Sequence, residues 1–163
     1  MNIRLATPAD LDTIMRIYDE ARLFMREQGN LKQWSNGYPQ RELLQKDILN
    51  QNCYVCVLDD QIVCVFCYFT EPDPTYNIIV DGAWPNNEPY GTIHRIATIC
   101  HRKGVANACY DFALEKCQNL RIDTHRDNIP MQRSLAKYGF LYCGTIFLAD
   151  GSPRIAFQIT RSA

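Results

Sequence analysis

The chain has 163 residues, enough for one domain and too few for two of ordinary size. Hydrophobic residues make up 47% of it, which excludes a disordered chain, and a net charge of −1 gives no basic excess of the kind that nucleic acid or an anionic membrane surface attracts. The longest apolar runs fall well short of the ~20 residues a membrane span needs, and MNIRLATPADLDT lacks a basic segment followed by an apolar one, so the sequence predicts a cytoplasmic protein.

NIRLA reads as a short strand. TPADLDTIMRIYDEARLFMREQG follows as a helix. Thr7 is a natural N-cap, Pro8 suits the first helical position, and Asp10 stands where a capping-box acid would. Leu11, Ile14, Met15, Tyr18, Ala21 and Met25 recur at helical spacing, and Gly29 can end the helix. NLKQWSNGYPQ is a loop by composition, and RELLQKDILNQ is a short amphipathic helix. Two β-rich runs around Asp59-Asp60 predict a hairpin over residues 53–70. TEPDPTYNIIVDGAWPNNEPY is a long, proline-rich excursion that allows a short strand at Tyr76–Val80, and long loops of this kind often carry function. GTIHRIAT is a strand. KGVANACYDFALEKCQN is a helix with Val105, Ala108, Cys109, Phe112, Ala113 and Cys117 on one face. LRIDTH is a strand, NIPMQRSLAKYGF a helix ended by Gly139, and the last segment a hairpin turning at Asp150-Gly151. This order predicts one domain over residues 1–163 with a mixed α/β sheet.

Eight cysteines need an account. Four fall as Cys53-x-x-Cys56 and Cys64-x-x-Cys67, which has the look of a zinc-ligand set. On strands, however, residues three apart point to opposite faces, so neither pair closes on one ion. The expectation is no metal and reduced, core-packed thiols.

The segment RKGVANACYDFALEKC carries the most chemistry. A helix N-terminus presents unpaired N–H groups and a partial positive charge. Gly104 and Ala106 let an anion approach the backbone, while Arg102 and Lys103 add charge, so the segment suits a phosphate or pyrophosphate. A solvated basic turn would look the same by itself.

Three stretches together sharpen the choice. IHRIATICHRKGVANACYDFALEKC resembles the acetyl-CoA site of the GNAT N-acetyltransferases. DNIPMQRSLAKYGF resembles that superfamily's next segment, and IRLATPADLDTIMRIYDEA its opening strand and helix. The resemblance spans nearly the whole chain in the right order, leaving residues 70–90 and 30–40 without a clear counterpart. It implies the GNAT fold, an α/β architecture with a mixed, mostly antiparallel central sheet flanked by about four helices. It also implies transfer of an acetyl group from acetyl-CoA, as co-substrate, to an amine of a small molecule or peptide. No metal cofactor, nucleic acid or membrane is implied, and a homodimer is allowed.

By position, the resemblance implies that the backbone of Ile96, Ala97 and Thr98 pairs with the pantetheine arm. The amides of Arg102, Lys103, Gly104, Val105, Ala106 and Asn107 would hold the pyrophosphate, and Asn128 the pantetheine or cofactor region. The sequence departs from the family at His101, where Arg or Gln is usual, and at Ala106, where a second glycine is common. His94 matches the second His of the His-x-His strand of arylalkylamine acetyltransferases and is the candidate base. The first His is replaced by Thr92, also the position of the Glu base in histone-type members. The usual leaving-group Tyr is replaced by Leu135, beside Ser134, and Tyr138 lies three residues on. Asp123 and His125 are further catalytic candidates, unless DTHRDN is only an anchored turn.

Trp34, Tyr38, Tyr76 and Trp84 are aromatic residues in polar loops, suited either to lining an acceptor pocket or to pinning those loops. Asp73 and Glu88 could pair with a cationic acceptor. Two other classes compete with the enzyme: a catalytically silent CoA-binding or sensory module of the same fold, and a zinc-binding interaction domain.

Overall fold

A computed structural model describes residues 1–99 and 103–162. Among them, β1 (Asn2–Leu5) leads through a 3-10 turn at Pro8–Asp10 into α1 (Leu11–Glu27) and α2 (Arg41–Leu49). Then come β2 (Cys53–Leu58), β3 (Gln61–Phe69), β4 (Gly91–Thr98), α3 (Val105–Lys116), β5 (Asn119–Thr124), α4 (Ile129–Tyr138), β6 (Leu141–Phe147) and β7 (Pro153–Thr160). The strands form one sheet in the order β1-β2-β3-β4-β5-β7-β6. All neighbours run antiparallel except β4 and β5, so the expected mixed, mostly antiparallel α/β sheet with four flanking helices is the observed architecture. No helix among the described residues is long and apolar enough to cross a membrane.

The sheet is buried on both faces, which explains why β3 reads as a continuous apolar run rather than an alternating one. Val65 and Cys67 face α1 and α2, where Ile14, Ile17, Tyr18, Leu44 and Ile48 complete one core. Cys64, Phe66 and Tyr68 face α3 and α4, packing with Cys109, Tyr110, Ala113, Leu114 and Leu135. Each large side chain buried in this way contributes about 1.5–3 kcal/mol. Tyr110 and Leu114, which the single-face reading of α3 leaves out, are buried because α3 touches both the sheet and α4.

The β2–β3 turn falls at Asp59-Asp60. Both have positive φ, 51° and 62°, the conformation of a two-residue hairpin turn. Its register pairs Cys53 with Cys67 and Cys56 with Cys64. The two pairs therefore lie on opposite faces, as the strand spacing predicts, and do not converge. The second pair meets Cys109 of α3, with Sγ–Sγ distances of 3.5 Å to Cys56 and 3.7 Å to Cys64, a contact that no spacing announced. All three thiols are buried in the apolar core between sheet and helix.

The strand expected at Tyr76–Val80 does not form. Pro74–Tyr76 is a 3-10 turn capped by Asp73, whose carboxylate accepts from the Thr75 amide, and only Val80 pairs, as an isolated bridge with Thr145. Pro74 supplies a ready helical φ there, so the segment turns rather than extends.

Candidate active site

The two parallel strands create the site. β4 and β5 are in register only at Gly91–Leu120 and Thr92–Arg121. Opposite β3, the stretch from Val65 to Cys67 faces the longer stretch from Ala97 to His94, which marks a β-bulge around Arg95. Arg95 has φ of 56°, and Tyr18 Oη donates to its carbonyl at 2.7 Å. A bulge bends the strand that carries it, so β4 turns away from β5. From Ile93 onward β4 has no registered partner on β5, and a wedge opens between them. The resulting cleft, about 830 Å³, is lined by Thr92 through Ile96 on one side and by Ile122, Asp123, Thr124, Asn128 and Met131 on the other.

The far end of β4 points towards α3. Gly104 is the N-cap of that helix, with φ of 88° and, among the described residues, nothing within 4 Å of where a Cβ would stand. A glycine takes this conformation without strain and leaves the helix N-terminus open. Lys103, Gly104 and Asn107 are exposed, Ala106 is half-buried, and Val105 is packed in the core. Arg102, expected to help hold an anion, lies outside the described residues, as does His101. The open helix start and the unpaired strand edge fit an extended thiol cofactor carrying phosphates.

The opposite end is built from loops. The segment after α1 is fixed by Arg26, whose guanidinium donates to the carbonyls of Asn30, Gln33 and Trp34 at 2.9, 2.9 and 3.0 Å. Gln33 is buried beneath it. Its Oε1 accepts from Asn30 Nδ2 at 2.8 Å and from Asn128 Nδ2 at 2.9 Å, and its Nε2 donates to Thr124 Oγ1 at 3.5 Å. Asn128 also caps α4, its Oδ1 accepting from the Met131 amide at 3.2 Å. Its amide group is thus already engaged on both sides, tying the first loop to the β5 wall.

Trp34 and Tyr38 line the cleft. Tyr38 Oη accepts from Arg95 Nη1 at 3.2 Å, and Arg95 Nη2 donates to the buried Asp47 at 2.7 Å. Tyr76 and Trp84, which the sequence offers as pocket residues, do not line it. Tyr76 is buried, donates from Oη to Asp123 at 2.7 Å, and packs at a tilt against Trp84, whose indole N–H donates to the Tyr76 carbonyl at 2.9 Å. Arg121 sits 4.1 Å from the rings of both Trp84 and Tyr90. These aromatics pin the long loop to the body, as large rings with one polar atom do well. Glu88 is exposed and outside the cleft.

His94 lines the cleft, and its Nε2 lies 2.9 Å from Asp73 Oδ2. Burial favours the neutral acid form of Asp73, but the bonds from His94 and Thr75 outweigh it and hold its pKa down at about 2. A carboxylate ionised at neutral pH can only accept, so the neutral imidazole carries its proton on Nε2 and keeps its lone pair on Nδ1. Asp73 therefore partners His94 rather than standing free for a cationic acceptor. The pairing spans 21 residues and joins a strand to a loop, so no local pattern could reveal it; the only trace was an Asp before Pro, a turn-capping signal.

The other catalytic candidates are placed differently. His125 does not line the cleft; its Nδ1 accepts from the Asp127 amide at 3.0 Å, anchoring the turn after β5. Burial, with the positive charge of Arg154, lowers its pKa. Leu135 is fully buried, Ser134 bonds Tyr110 Oη at 3.1 Å, and Tyr138 donates to Asp111.

An acetyltransferase of the GNAT family from Streptococcus agalactiae 2603 is 34% identical, with 99% of this chain and 96% of that one aligned and a TM-score of 0.90. The chain belongs to the GNAT acetyltransferase family. A GNAT acetyltransferase from Bacillus cereus ATCC 10987 shares the fold at 20% identity over 99% of this chain and 98% of that one, with a TM-score of 0.68. A ribosomal-protein-alanine N-acetyltransferase from Brucella melitensis does so at 17% identity over 98% and 99%, with a TM-score of 0.67. No protein-family model and no curated protein matches the chain.

Proposed function

We propose that the protein transfers the acetyl group of acetyl-CoA to a primary amine of a small molecule or peptide by direct attack. The observation that carries this reading is the His94–Asp73 pair standing on the strand edge that opens into the wedge. The free edge of β4 at Ile96, Ala97 and Thr98 offers main-chain groups to a pantetheine arm, as an added strand would. Lys103 and the amides that follow Gly104 face the pyrophosphate, where the helix dipole favours negative charge.

An amine arrives as an ammonium. His94 Nδ1 takes one proton, and the imidazolium that results is stabilised by the Asp73 carboxylate on the other nitrogen. The neutral amine attacks the thioester carbonyl, and strand amides beside Ala97 stabilise the oxyanion. The C–S bond then breaks, the amide nitrogen sheds its extra proton, and the CoA thiolate takes one up. With an ordinary thiol pKa of about 8.5 that thiolate is a tolerable leaving group, so the chemistry needs no Tyr in the place of Leu135. Holding the two reactants in one cleft supplies much of the remaining rate.

Calorimetric titration with acetyl-CoA, followed by thiol-release assays with primary amines, tests the reading. Binding with turnover is expected. Binding without turnover on any amine would favour a silent CoA-binding module instead, and no binding at millimolar acetyl-CoA would remove both.

A further inference from the structure

Three thiols converge in the core between the sheet and α3, each from a different element. Cys56 of β2 and Cys64 of β3 are cross-strand partners, and Cys109 meets both from the helix. The Cys109 sulfur lies 3.5 Å from that of Cys56 and 3.7 Å from that of Cys64, and all three sulfurs are within 4.8 Å of one another. All three residues are 0% exposed, and none lines the cleft. The Cys53–Cys67 pair on the opposite face differs in kind. Cys67 donates to the Asp47 carboxylate at 3.4 Å, and no third thiol joins the pair among the described residues.

Charge decides what a set of three thiols can hold. Thiols take soft centres as thiolates. Three thiolates leave a copper(I) site at −2 and a zinc(II) site at −1, and an uncompensated charge in an apolar core is costly. The cluster belongs to the core formed with Val63, Phe66, Tyr110 and Ala113. Its thiols bond to one another and, from Cys64 at 3.7 Å, to the Val65 carbonyl, and no cation is among their partners in the described residues. A trivalent centre balances three thiolates with no charge left over. Its shape fits as well. A pyramidal centre with bonds of roughly 2.3 Å to each sulfur and angles of about 100° spaces the sulfurs by about 3.5 Å, whereas a flat trigonal ion spaces them by about 4.0 Å.

We propose that Cys56, Cys64 and Cys109 form a binding site for trivalent arsenic, taken up as arsenous acid. The step is a condensation. Three S–H and three As–OH bonds break, three As–S bonds form, and three water molecules leave. Arsenic stays trivalent, and no proton or electron is left over. Arsenous acid is small and uncharged at neutral pH, so it reaches the core when α3 lifts locally from the sheet. The ligand is an external metalloid that acetyl transfer neither supplies nor needs, so the proposal stands apart from the functional reading above.

The test titrates the reduced, full-length protein with arsenite in millimolar glutathione and reads the product by native mass spectrometry. One adduct is expected, heavier by one arsenic less three hydrogens. Cys109→Ala should weaken arsenite binding at least about 100-fold, because a third tethered thiol acts at high effective concentration. Alanine suits the helix there, and Cys56→Val, which suits its strand, should have the same effect should the first variant lose its fold. Cys53→Ala on the opposite face and Cys117→Ser at the end of α3 should bind as wild type does. Zinc(II) in the same solution should bind more weakly than arsenite. No adduct in wild type, an adduct that has lost only two hydrogens, or wild-type affinity in Cys109→Ala would each overturn the proposal. Equal loss in Cys53→Ala would mean a loosened core rather than a lost ligand, and also overturn it. Zinc bound as tightly as arsenite would show that charge balance does not choose the ligand, and would overturn the assignment to arsenic.

Discussion

The two ends of the site are walled with different materials. Where β4 runs towards α3 the wall is backbone: the unpaired edge of β4 and the glycine-capped start of α3. At the loop end it is side chains: the His94–Asp73 pair, the Gln33 network and the Arg95–Asp47 pair, each joining segments distant in sequence. A backbone wall recognises whatever extended, phosphorylated arm is presented to it and tolerates many side chains. A side-chain wall depends on a few groups held in place, so single substitutions should act there most strongly. Damage on the second wall should touch the amine and its chemistry, and damage on the first should touch acetyl-CoA.

The largest expected effect is at His94. His94→Gln keeps a polar group of similar reach but removes the proposed base, and should lower kcat about 10²- to 10⁴-fold. Its pH–rate profile should flatten while acetyl-CoA affinity holds, as read by thiol release and calorimetry. Unchanged kinetics would move the base elsewhere.

Gln33 comes next. Gln33→Leu leaves the buried amide of Asn30 and the side chain of Asn128 without their common acceptor. A cost of about 2–3 kcal/mol is expected, seen as a lower denaturant midpoint. Because the loop carrying Trp34 and Tyr38 is tied down through this residue, KM for the amine should rise more than Kd for acetyl-CoA. Equal effects on both would show that Asn128, not the acceptor loop, is the side that moves.

The fold was legible because its signals are periodic and local. The α1 stripe, the Asp59-Asp60 turn and Gly139 at the end of α4 each follow from a few neighbouring residues. The strand and the glycine before a helix that make up the backbone wall were legible for the same reason. The side-chain wall was not. His94 was visible as a candidate, but its partner Asp73 lies in a proline-rich loop whose course depends on Tyr76 packing against Trp84 and Trp84 against Arg121. Those two rings have the composition of pocket residues and serve as anchors. Asp47 and Gln33 gave no local signal, because a buried polar residue is recognisable only from the partners that surround it.

The Asp73 pairing has an acid signature of intermediate size. Its pKa, ordinarily near 3.9, is held at about 2 in the folded protein. The stabilisation is complete above pH 4 and disappears as pH falls towards 2, because the unfolded chain takes up the proton first. It amounts to about 2 kcal/mol. Unfolding free energies between pH 4 and 2 should therefore fall more steeply for wild type than for Asp73→Asn. Equal slopes would mean that another carboxylate, such as Asp10 beside Arg4, carries the acid dependence.

The smallest effect tests the backbone wall by itself. Gly104→Ala adds a methyl that meets no atom of the described residues within 4 Å, so no contact among them is disturbed. The cost comes only from holding an L-residue at φ of 88°, about 1 kcal/mol, or a drop of about 2–4 °C in thermal midpoint. If the amides following Gly104 hold the pyrophosphate, the same methyl and the relaxation it forces fall at the anion's seat, and acetyl-CoA Kd should rise by about threefold to tenfold. KM for the amine should stay at its wild-type value, the reverse of the Gln33 result. A lower midpoint with unchanged Kd would separate the helix start from the cofactor and leave the β4 edge as the whole of the backbone wall.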